Sequence, residues 1–571
     1  MDMMPISARK GDYNLQDYDT FCENFSWNDV KQHFSWNETG KVNMAYEALD
    51  RHAAAPKKRD KLALIYSDSN REEKYTFSEL SKLSNKFANI LRKYEIEKGN
   101  RVFLFMPRSP EFYVAFFGIL KTGAVAGPLF DAFMEQAVRD RLEDSEATIL
   151  VTTSELVNRV PYKELPNLEK IILIGDSPED ISLFINYKQE MATASDEFAI
   201  EWVNLEDGML LHYTSGSTGK PKGVYHVHNA MIQQYATAEW VLDFKADDIY
   251  WNTADPGWVT GTSYGIFAPW LHGVTNVIRG GKFSADSWYE TLEKYKITVW
   301  YTGPTPLRML VSHGEKVARE YDLSSLRHIL SVGEPLSPEI ITWALKVYNV
   351  RVHDTWWMTE TGAQIIVNFP CNEIRPGSMG KAIPGIEAAI IDNEGNKLPP
   401  NQMGNLAIKE GWPAMMRNIW NSPWLYEGYF LDGWYISGDS AYQDEDGYFW
   451  FQGRLDDVIN TSGERMGPFE IESKLIEHPA VSEAGVIGKP DPEHGEIIKA
   501  FITLNEGYQK SADLLEDMRE FIKTELSAHA APHEIDVVES IPKTRSGKIM
   551  RRLLKSWELE LPTGDTSTLE S

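Results

Sequence analysis

The 571-residue chain carries 57 Lys and Arg against 84 Asp and Glu, a net charge of −27, with 42% hydrophobic and 25% charged residues. This is the composition of a folded protein of several domains, not of a disordered one. A surface so acidic repels nucleic acid and anionic lipid, so any phosphate-bearing ligand must be met by a local site. Only two cysteines, Cys22 and Cys371, are present. They exclude a disulfide scaffold and a cysteine-built zinc site and fit a reducing compartment. The start, Met1-Asp2-Met3-Met4-Pro5, has no basic stretch before an apolar core, and the apolar run Phe112 to Leu120 is too short to span a bilayer. The expectation is a soluble, cytoplasmic enzyme with neither a nucleic-acid nor a membrane partner.

In chain order, residues 1–50 are polar and aromatic without clear periodicity, and no internal repeat is visible. Leu62 to Tyr66 reads as a strand. Thr76-Phe77-Ser78-Glu79 has capping-box spacing and opens a helix to about Tyr94. Arg101 to Met106 is the next strand and Ser109 to Lys121 the next helix; Ala147 to Val151 and Lys170 to Ile174 are short β-branched runs. Continuous apolar strands alternating with helices predict an α/β body of parallel sheets covered on both faces. After about 385 the strands shorten, with turn signals at Asp392-Asn393-Glu394-Gly395 and Asp444-Glu445-Asp446-Gly447, which predicts a small antiparallel or barrel-like piece. A break near Gly453 to Asp457 divides an N-terminal domain, 1–455, from a small α+β C-terminal domain, 456–571, with helices at Pro468–His478 and Ala512–Ala528 and strands at Ala484–Ile487 and Ile498–Leu504.

Tyr213-Thr214-Ser215-Gly216-Ser217-Thr218-Gly219-Lys220-Pro221-Lys222-Gly223 follows an apolar run. Its glycines let backbone approach a ligand, its hydroxyls and amides donate to phosphate oxygens, and its two lysines add charge. It is not a Walker loop: the glycine spacing differs, and Pro221 follows Lys220 where Ser or Thr is required. The bland alternative, a flexible Gly/Ser turn, fits a generic loop better than this eleven-residue string.

The string resembles the signature loop of adenylate-forming enzymes, and further strings in order resemble that superfamily's other motifs. They are Asp354-Thr355-Trp356-Trp357-Met358-Thr359-Glu360-Thr361-Gly362, Tyr435-Ile436-Ser437-Gly438-Asp439, Gly453-Arg454-Leu455-Asp456-Asp457 and Pro542-Lys543-Thr544-Arg545-Ser546-Gly547-Lys548. Together they span roughly 60 to 560. Within the superfamily the chain looks most like the acetyl-CoA synthetase family in its shorter bacterial form, on the Trp356-Trp357 pair, Trp258-Val259-Thr260-Gly261 and the ending Gly564-Asp565-Thr566-Ser567-Thr568-Leu569.

The resemblance implies two half-reactions with acetate, ATP and CoA as substrates: acetate attacks the α-phosphorus of ATP, and a thiol then displaces AMP. Lys548, Thr359 and Glu360 are the implied catalytic residues, Glu360 also holding the magnesium that accompanies ATP. The implied nucleotide site comprises Thr214, Ser215, Gly216, Ser217, Thr218, Gly219 and Lys220 for phosphate. It also takes in Gly333, Glu334, Pro335 and Asp354 for adenine, Thr355, Trp356, Trp357, Met358 and Thr359 from the second motif, and Asp439, Arg454 and Arg465 for ribose and phosphate. Val259, Thr260, Val332 and Trp357 would close the acyl pocket to acids longer than acetate; paired tryptophans are also common core residues. Asp456 is the implied hinge of a domain rotation, and Ser462 and Gly463 the CoA-facing loop, where Glu464 departs from the residue that relatives often carry. Ile476, His478 and Val481 match positions around a structural cation in some relatives, although a His-Pro at a helix end also serves plain capping. The rival readings are a propionyl- or medium-chain acyl-CoA synthetase, an adenylating enzyme serving another acceptor, and a non-catalytic nucleotide-binding regulator. Acetylation of Lys548 would remove the charge that joins the reactants, which makes a lysine acetyltransferase and deacetylase expected partners.

Overall fold

Helix and sheet layers alternate through the body of the molecule. The computed structural model describes residues 4–178, 182–215, 221–455, 457–461, 464–492, 494–544, 548–563, 566 and 569, the side chains of Asn37, Ser215, Asn460, Glu464 and Arg465 excepted. An eight-stranded sheet runs Phe184–Asn186, Lys170–Ile174, Ile149–Thr153, Arg101–Phe105, Val125–Leu129, Gly208–Ser215, Pro221–Val227, Asn418–Ile419. A nine-stranded sheet runs Glu72–Thr76, Leu62–Ser67, Thr275–Arg279, Ile249–Asn252, Val299–Thr302, His328–Val332, Val352–Trp356, Ile366–Val367, Lys381–Ala382. The central strands of both pair in parallel, as their unbroken apolar runs predict.

Alternation along each strand sorts side chains between layers. Val102 and Leu104 point into the central core with Leu64 and Tyr66, whereas Phe103 and Phe105 pack outward with the helix Glu135–Ser145. On the other sheet, Ile65, Trp251, Val277 and Trp300 pack outward with the helices Ala285–Lys294 and Pro338–Tyr348. The helix Pro110–Lys121 is buried at nearly every position because it lies between the two sheets. The helix Phe77–Lys93 beside it starts on the expected capping box: Thr76 Oγ1 accepts from the Glu79 amide, and the Glu79 carboxylate accepts from the Thr76 amide.

Residues 18–54 form short helices whose aromatic side chains stitch them to the body; Phe21, Phe25 and Trp27 gather around Trp240. A third, antiparallel sheet of Ala388–Ile391, Gly404–Lys409, Phe430–Leu431, Trp434–Gln443 and Phe449–Arg454 follows, which is the small antiparallel piece read from the turn signals. Beyond it, Ile459–Thr461, Glu464–Met466, Val481–Asp491, Gly495–Leu504 and Glu534–Val537 form another sheet, covered by the helices Pro468–Glu477, Ala512–Glu525 and Arg551–Leu559. The strand expected at Ala484–Ile487 is much longer, because its polar ends pair along the whole of Gly495–Leu504. The buried clusters of this segment, from Ile459 to Leu554, contain no residue from the body. The two parts touch where Phe451 meets Phe469 and the Gly453 backbone meets Pro468.

Candidate functional site

Adjacent parallel strands of the nine-stranded sheet, His328–Val332 and Val352–Trp356, end side by side, with Val332 opposite Thr355. Gly333-Glu334-Pro335 and Trp357-Met358-Thr359-Glu360 leave their carboxyl ends, the place where open parallel sheets bind ligands. Glu334 is held there by Thr305 Oγ1 at 2.8 Å and by Arg308 Nη2 at 2.5 Å. Asp354 is buried; its Oδ1 accepts only the Thr355 amide, at 3.0 Å. Burial pushes its carboxyl up to about 7.

The glycine-rich string joins two antiparallel strands, Gly208–Ser215 and Pro221–Val227, so it is the tip of a β-hairpin rather than the start of a helix. Gly216, Ser217, Thr218, Gly219 and Lys220 lie outside the described residues, as does the side chain of Ser215. Thr214 faces Lys222 across the hairpin, and its Oγ1 is buried with no hydrogen-bond partner among the described residues, a polar atom that a ligand could meet. Two links join the hairpin to the Thr359–Glu360 turn. His226 Nε2 donates to the Thr359 carbonyl at 2.8 Å. Lys222 Nζ donates to Tyr429 Oη at 2.6 Å, and that hydroxyl donates to Glu360 Oε1 at 3.3 Å.

Glu360 is buried, and among the described residues no cation forms an ion pair with it. A carboxylate so placed, with one oxygen carrying no protein hydrogen bond, fits a hard cation whose remaining ligands are phosphate oxygens and water. Among the described residues no three His, Cys, Asp or Glu side chains gather into a metal cage.

Asp439 lies in the long strand Trp434–Gln443, opposite Arg454. Arg454 Nη1 donates to its Oδ1 at 2.9 Å and Trp356 Nε1 to its Oδ2 at 2.8 Å. Burial pushes the Asp439 carboxyl up while Arg454 and Trp356 pull it down. Gly438 has a left-handed φ of +78°, and a Cβ there would sit 2.7 Å from Arg454 Nη2, so glycine is what lets the guanidinium lie across the strand.

Lys548 comes to this group from the C-terminal part. Asp439 and Lys548 attract each other, while Arg454 repels the ammonium. The residue keeps an exposed surface, but protein crowds its charged end, and burial followed by Arg454 lowers its pKa. Its loop is closed by backbone bonds: the Thr544 amide donates to the Lys548 carbonyl at 2.8 Å, and the Lys548 amide to Thr544 Oγ1 at 3.0 Å. Arg551, just beyond, is anchored by Glu472 and reaches Asp457 at 3.6 Å.

Trp357 is 7% exposed and shares a core with Val332, against which Val259 packs. Val259 and Thr260 open the short helix Val259–Thr262, which runs directly into the turn carrying Tyr264; that ring meets the Trp357 indole edge-on at 5.0 Å. Thr355 and Met358 flank this motif, Met358 receiving a weak contact from Tyr435 Oη at 3.7 Å.

Hydrogen bonds and charge interactions thus link the hairpin of Thr214, the turn Asp354 to Glu360, Asp439, Arg454 and Lys548 into one neighbourhood. Asp456, Ser462 and Gly463 lie outside the described residues, and of Arg465 only the backbone is described, paired with Asn460. Ile476 and His478 end the helix Pro468–Glu477, and Val481 opens the strand that follows. The Val481 amide donates to the His478 carbonyl at 2.9 Å, and the imidazole meets the Ala480 amide at 3.3 Å and Asp517 at 3.2 Å. Tyr429, His226, Arg308 and Tyr301 escape a reading of motifs, since each acts through a partner far off in the chain. Tyr429 alone had a local signal, six residues before Tyr435 in an aromatic stretch.

A glycine-rich string on a hairpin, linked to a carboxylate turn at the ends of parallel strands and to a lysine from a small second part, is an arrangement suited to a nucleotide-activating enzyme. Residues 50–420 match the family model of AMP-binding enzymes, and residues 470–548 the model of the AMP-binding enzyme C-terminal domain. The chain is 62% identical to acetyl-coenzyme A synthetase of Bacillus subtilis (strain 168), with all of both chains covered. It is 39% identical to that of Nitrosomonas europaea, over 94% of this chain and 87% of the relative. Among solved structures, an acyl-CoA synthetase of Brucella canis superposes with a TM-score of 0.75 at 34% identity, covering 96% of this chain and 99% of that one. An anthranilate CoA ligase bound to anthranoyl-AMP superposes with a TM-score of 0.82 at 29% identity, covering 90% and 97%. The chain belongs to the AMP-binding enzymes and, within them, to the acetyl-coenzyme A synthetase family. Among the described residues no helix is long and apolar enough to cross a membrane.

Proposed function

We propose that the enzyme activates acetate with ATP and hands the acetyl group to coenzyme A. A carboxylate oxygen of acetate attacks the α-phosphorus and expels pyrophosphate, giving acetyl-adenylate. The thiol sulfur of CoA, losing its proton, then attacks the acetyl carbon and expels AMP. The observation that carries this reading is the 62% identity to an acetyl-coenzyme A synthetase along the entire chain.

Little covalent work falls to the protein; it positions and neutralises charge. In this reading Lys548 bridges the acetate carboxylate and the α-phosphate. Its convergence on Asp439 and Arg454 supports that role. Thr359 meets the α-phosphate, and the hairpin from Thr214 to Lys220 cradles the outer phosphates. Asp439 accepts from the ribose hydroxyls, Gly333 to Pro335 line adenine and Asp354 orients it. Glu360 would hold magnesium, which when bound neutralises phosphate charge. Trp357, Val259, Thr260 and Val332 close the acyl pocket, so propionate is a weak second substrate.

The separate cores before and after the 455–456 boundary support a hinge at Asp456. Rotation there would exchange Lys548 for Ser462, Gly463 and Arg465, opening the thiol's path. We place the enzyme in the cytoplasm, with an acetyltransferase and deacetylase acting on the exposed Lys548.

The test is acid-dependent ATP–pyrophosphate exchange without CoA, using acetate, propionate, butyrate and octanoate. Exchange should be strongest with acetate; strongest exchange with octanoate overturns the pocket reading. Lys548→Ala should lower exchange by about a hundredfold or more, yet convert supplied acetyl-adenylate and CoA to thioester within a few-fold of the parent rate. Normal exchange by Lys548→Ala would remove Lys548 from the first step.

A further inference from the structure

We propose that Tyr301 is a specificity-determining positioning residue, whose hydroxyl pins the Trp357 indole in the place that excludes acids longer than acetate. The inference rests on Trp357 closing the acyl pocket and adds what holds Trp357 there.

Counting protons fixes the direction of every bond around that hydroxyl. Thr355 Oγ1 lies 2.7 Å from the Ser331 carbonyl, which can only accept, so the single threonine proton is spent there. The same Thr355 oxygen lies 2.5 Å from Tyr301 Oη, so between those two the tyrosine must donate. Both lone pairs of the tyrosine oxygen then accept, from Trp357 Nε1 at 3.1 Å and from Gln364 Nε2 at 3.2 Å. The hydroxyl is saturated, with one proton given and two received. The chain runs in one direction, from the Trp357 indole to Tyr301, to Thr355, to the backbone of the strand His328–Val332. An indole has one donor and no acceptor. Rotation of Trp357 out of this place would strand its N–H and one lone pair of Tyr301 in a buried site.

The second ring beside Trp357 is fixed by the same logic. Thr237 Oγ1 gives its proton to the Gln233 carbonyl at 2.8 Å, so Tyr264 Oη donates to Thr237 at 2.8 Å and accepts the Gln364 amide at 2.8 Å. Gln364 therefore ties both tyrosines together, and the indole has Tyr301 at its polar edge and Tyr264 against its ring. An apolar wall of the same size without such an anchor yields to an added methylene at small cost, because a pocket rejects a larger ligand only as firmly as its wall resists moving.

The experiment measures kcat/KM for acetate, propionate and butyrate in ATP–pyrophosphate exchange, for the parent enzyme, Tyr301→Phe, Trp357→Phe and the double variant. Tyr301→Phe keeps the ring and loses the anchor. Its butyrate-to-acetate ratio should rise about tenfold over the parent, the scale of one orphaned buried hydrogen bond. In the Trp357→Phe background, which has no N–H to anchor, adding Tyr301→Phe should leave the ratio unchanged; a role in general stability would lower rates equally in both backgrounds. An unchanged ratio in Tyr301→Phe, in an enzyme whose parent prefers acetate, overturns the anchor and leaves the reaction reading standing. A parent enzyme that does not prefer acetate overturns the pocket reading itself, and the anchor with it. Should Tyr301→Phe not fold, Thr355→Val, which removes the acceptor of the Tyr301 proton, decides by the same ratio.

Discussion

Tyr429 stands between two opposite charges, the Lys222 ammonium and the Glu360 carboxylate. Its hydroxyl accepts from Lys222 and donates to Glu360, and its ring lies under the Lys222 ammonium, 5.1 Å from centroid to nitrogen. In the proposed function, a neutral spacer there would keep the carboxylate available for a cation and the ammonium for phosphate. Tyr429→Phe removes the spacer and allows the two to collapse into a direct ion pair, which competes with magnesium at Glu360. The expected outcome is a roughly five- to tenfold rise in the magnesium concentration for half-maximal pyrophosphate exchange, matched by weaker binding of Mn2+-ATP. An unaltered magnesium dependence would show that Tyr429 only fills space. Beyond its place in an aromatic stretch six residues before Tyr435, the sequence does not mark this residue, because its two partners lie 207 and 69 positions away. Asp439 and Glu360, by contrast, stand in strings that resemble family motifs, and the structure brings the first onto Trp356 and the second onto Tyr429.

At the scale of elements, what could be read was what local chemistry decides. Thr76 and Glu79 announce a helix start because both halves of the reciprocal cap lie within four residues. The first fifty residues gave no period because their helices are seven, five and four residues long, too short for a stripe to repeat. Aromatic contacts with Trp240, more than two hundred residues on, hold them instead. The turn after Trp356 combines both kinds of determinant. Gly362 has a φ of +71°, and its amide closes the turn onto the Met358 and Thr359 carbonyls. A Cβ there would lie 2.2 Å from the Ala414 carbonyl oxygen and 2.9 Å from His226 Cε1. The first of these is backbone and cannot rotate away. Gly362→Ala should therefore destabilise the protein by about 2 kcal/mol or more and displace Thr359 and Glu360. The measurement is denaturant unfolding alongside pyrophosphate exchange. An alanine variant with parent stability and parent rate would mean the turn accommodates the methyl, contrary to this geometry.

The whole molecule buries an unusual set of neutral imidazoles, and these set its response to acid. His52, His212, His226, His228, His328 and His353 are all buried. Burial depresses each: His52, His212 and His328 to about 3, His226 and His228 to about 4, and His353 well below its ordinary value. Several are locked in one tautomer by a carbonyl acceptor, as His328 is by Val241 at 2.7 Å and His353 by Asn368 at 2.9 Å. Below the ordinary value of 6.5 the unfolded chain takes up these protons and the folded one does not. The unfolded state then binds more protons, so stability falls as pH falls, by about 1.4 kcal/mol per pH unit for each net proton. Asp354 and Asp255 act in the opposite sense, since burial raises both to about 7 and the folded state holds their protons through the same window. Burial also raises Glu239, Asp243, Glu339, Asp439, Glu470 and Glu472 and lowers His272 to about 4; seven depressed imidazoles then stand against the two carboxyls raised as far as about 7, which leaves the histidines dominant between about pH 6.5 and 5. The denaturant midpoint should therefore drop steeply from pH 7 to pH 5 with little change in slope against denaturant. Substituting His212, whose Nε2 contacts Thr262 at 2.8 Å in the helix Val259–Thr262, by Gln should shallow that pH dependence by about one proton. A midpoint that holds or rises on acidification would mean that the buried imidazoles are protonated in the folded enzyme and have found compensating charge.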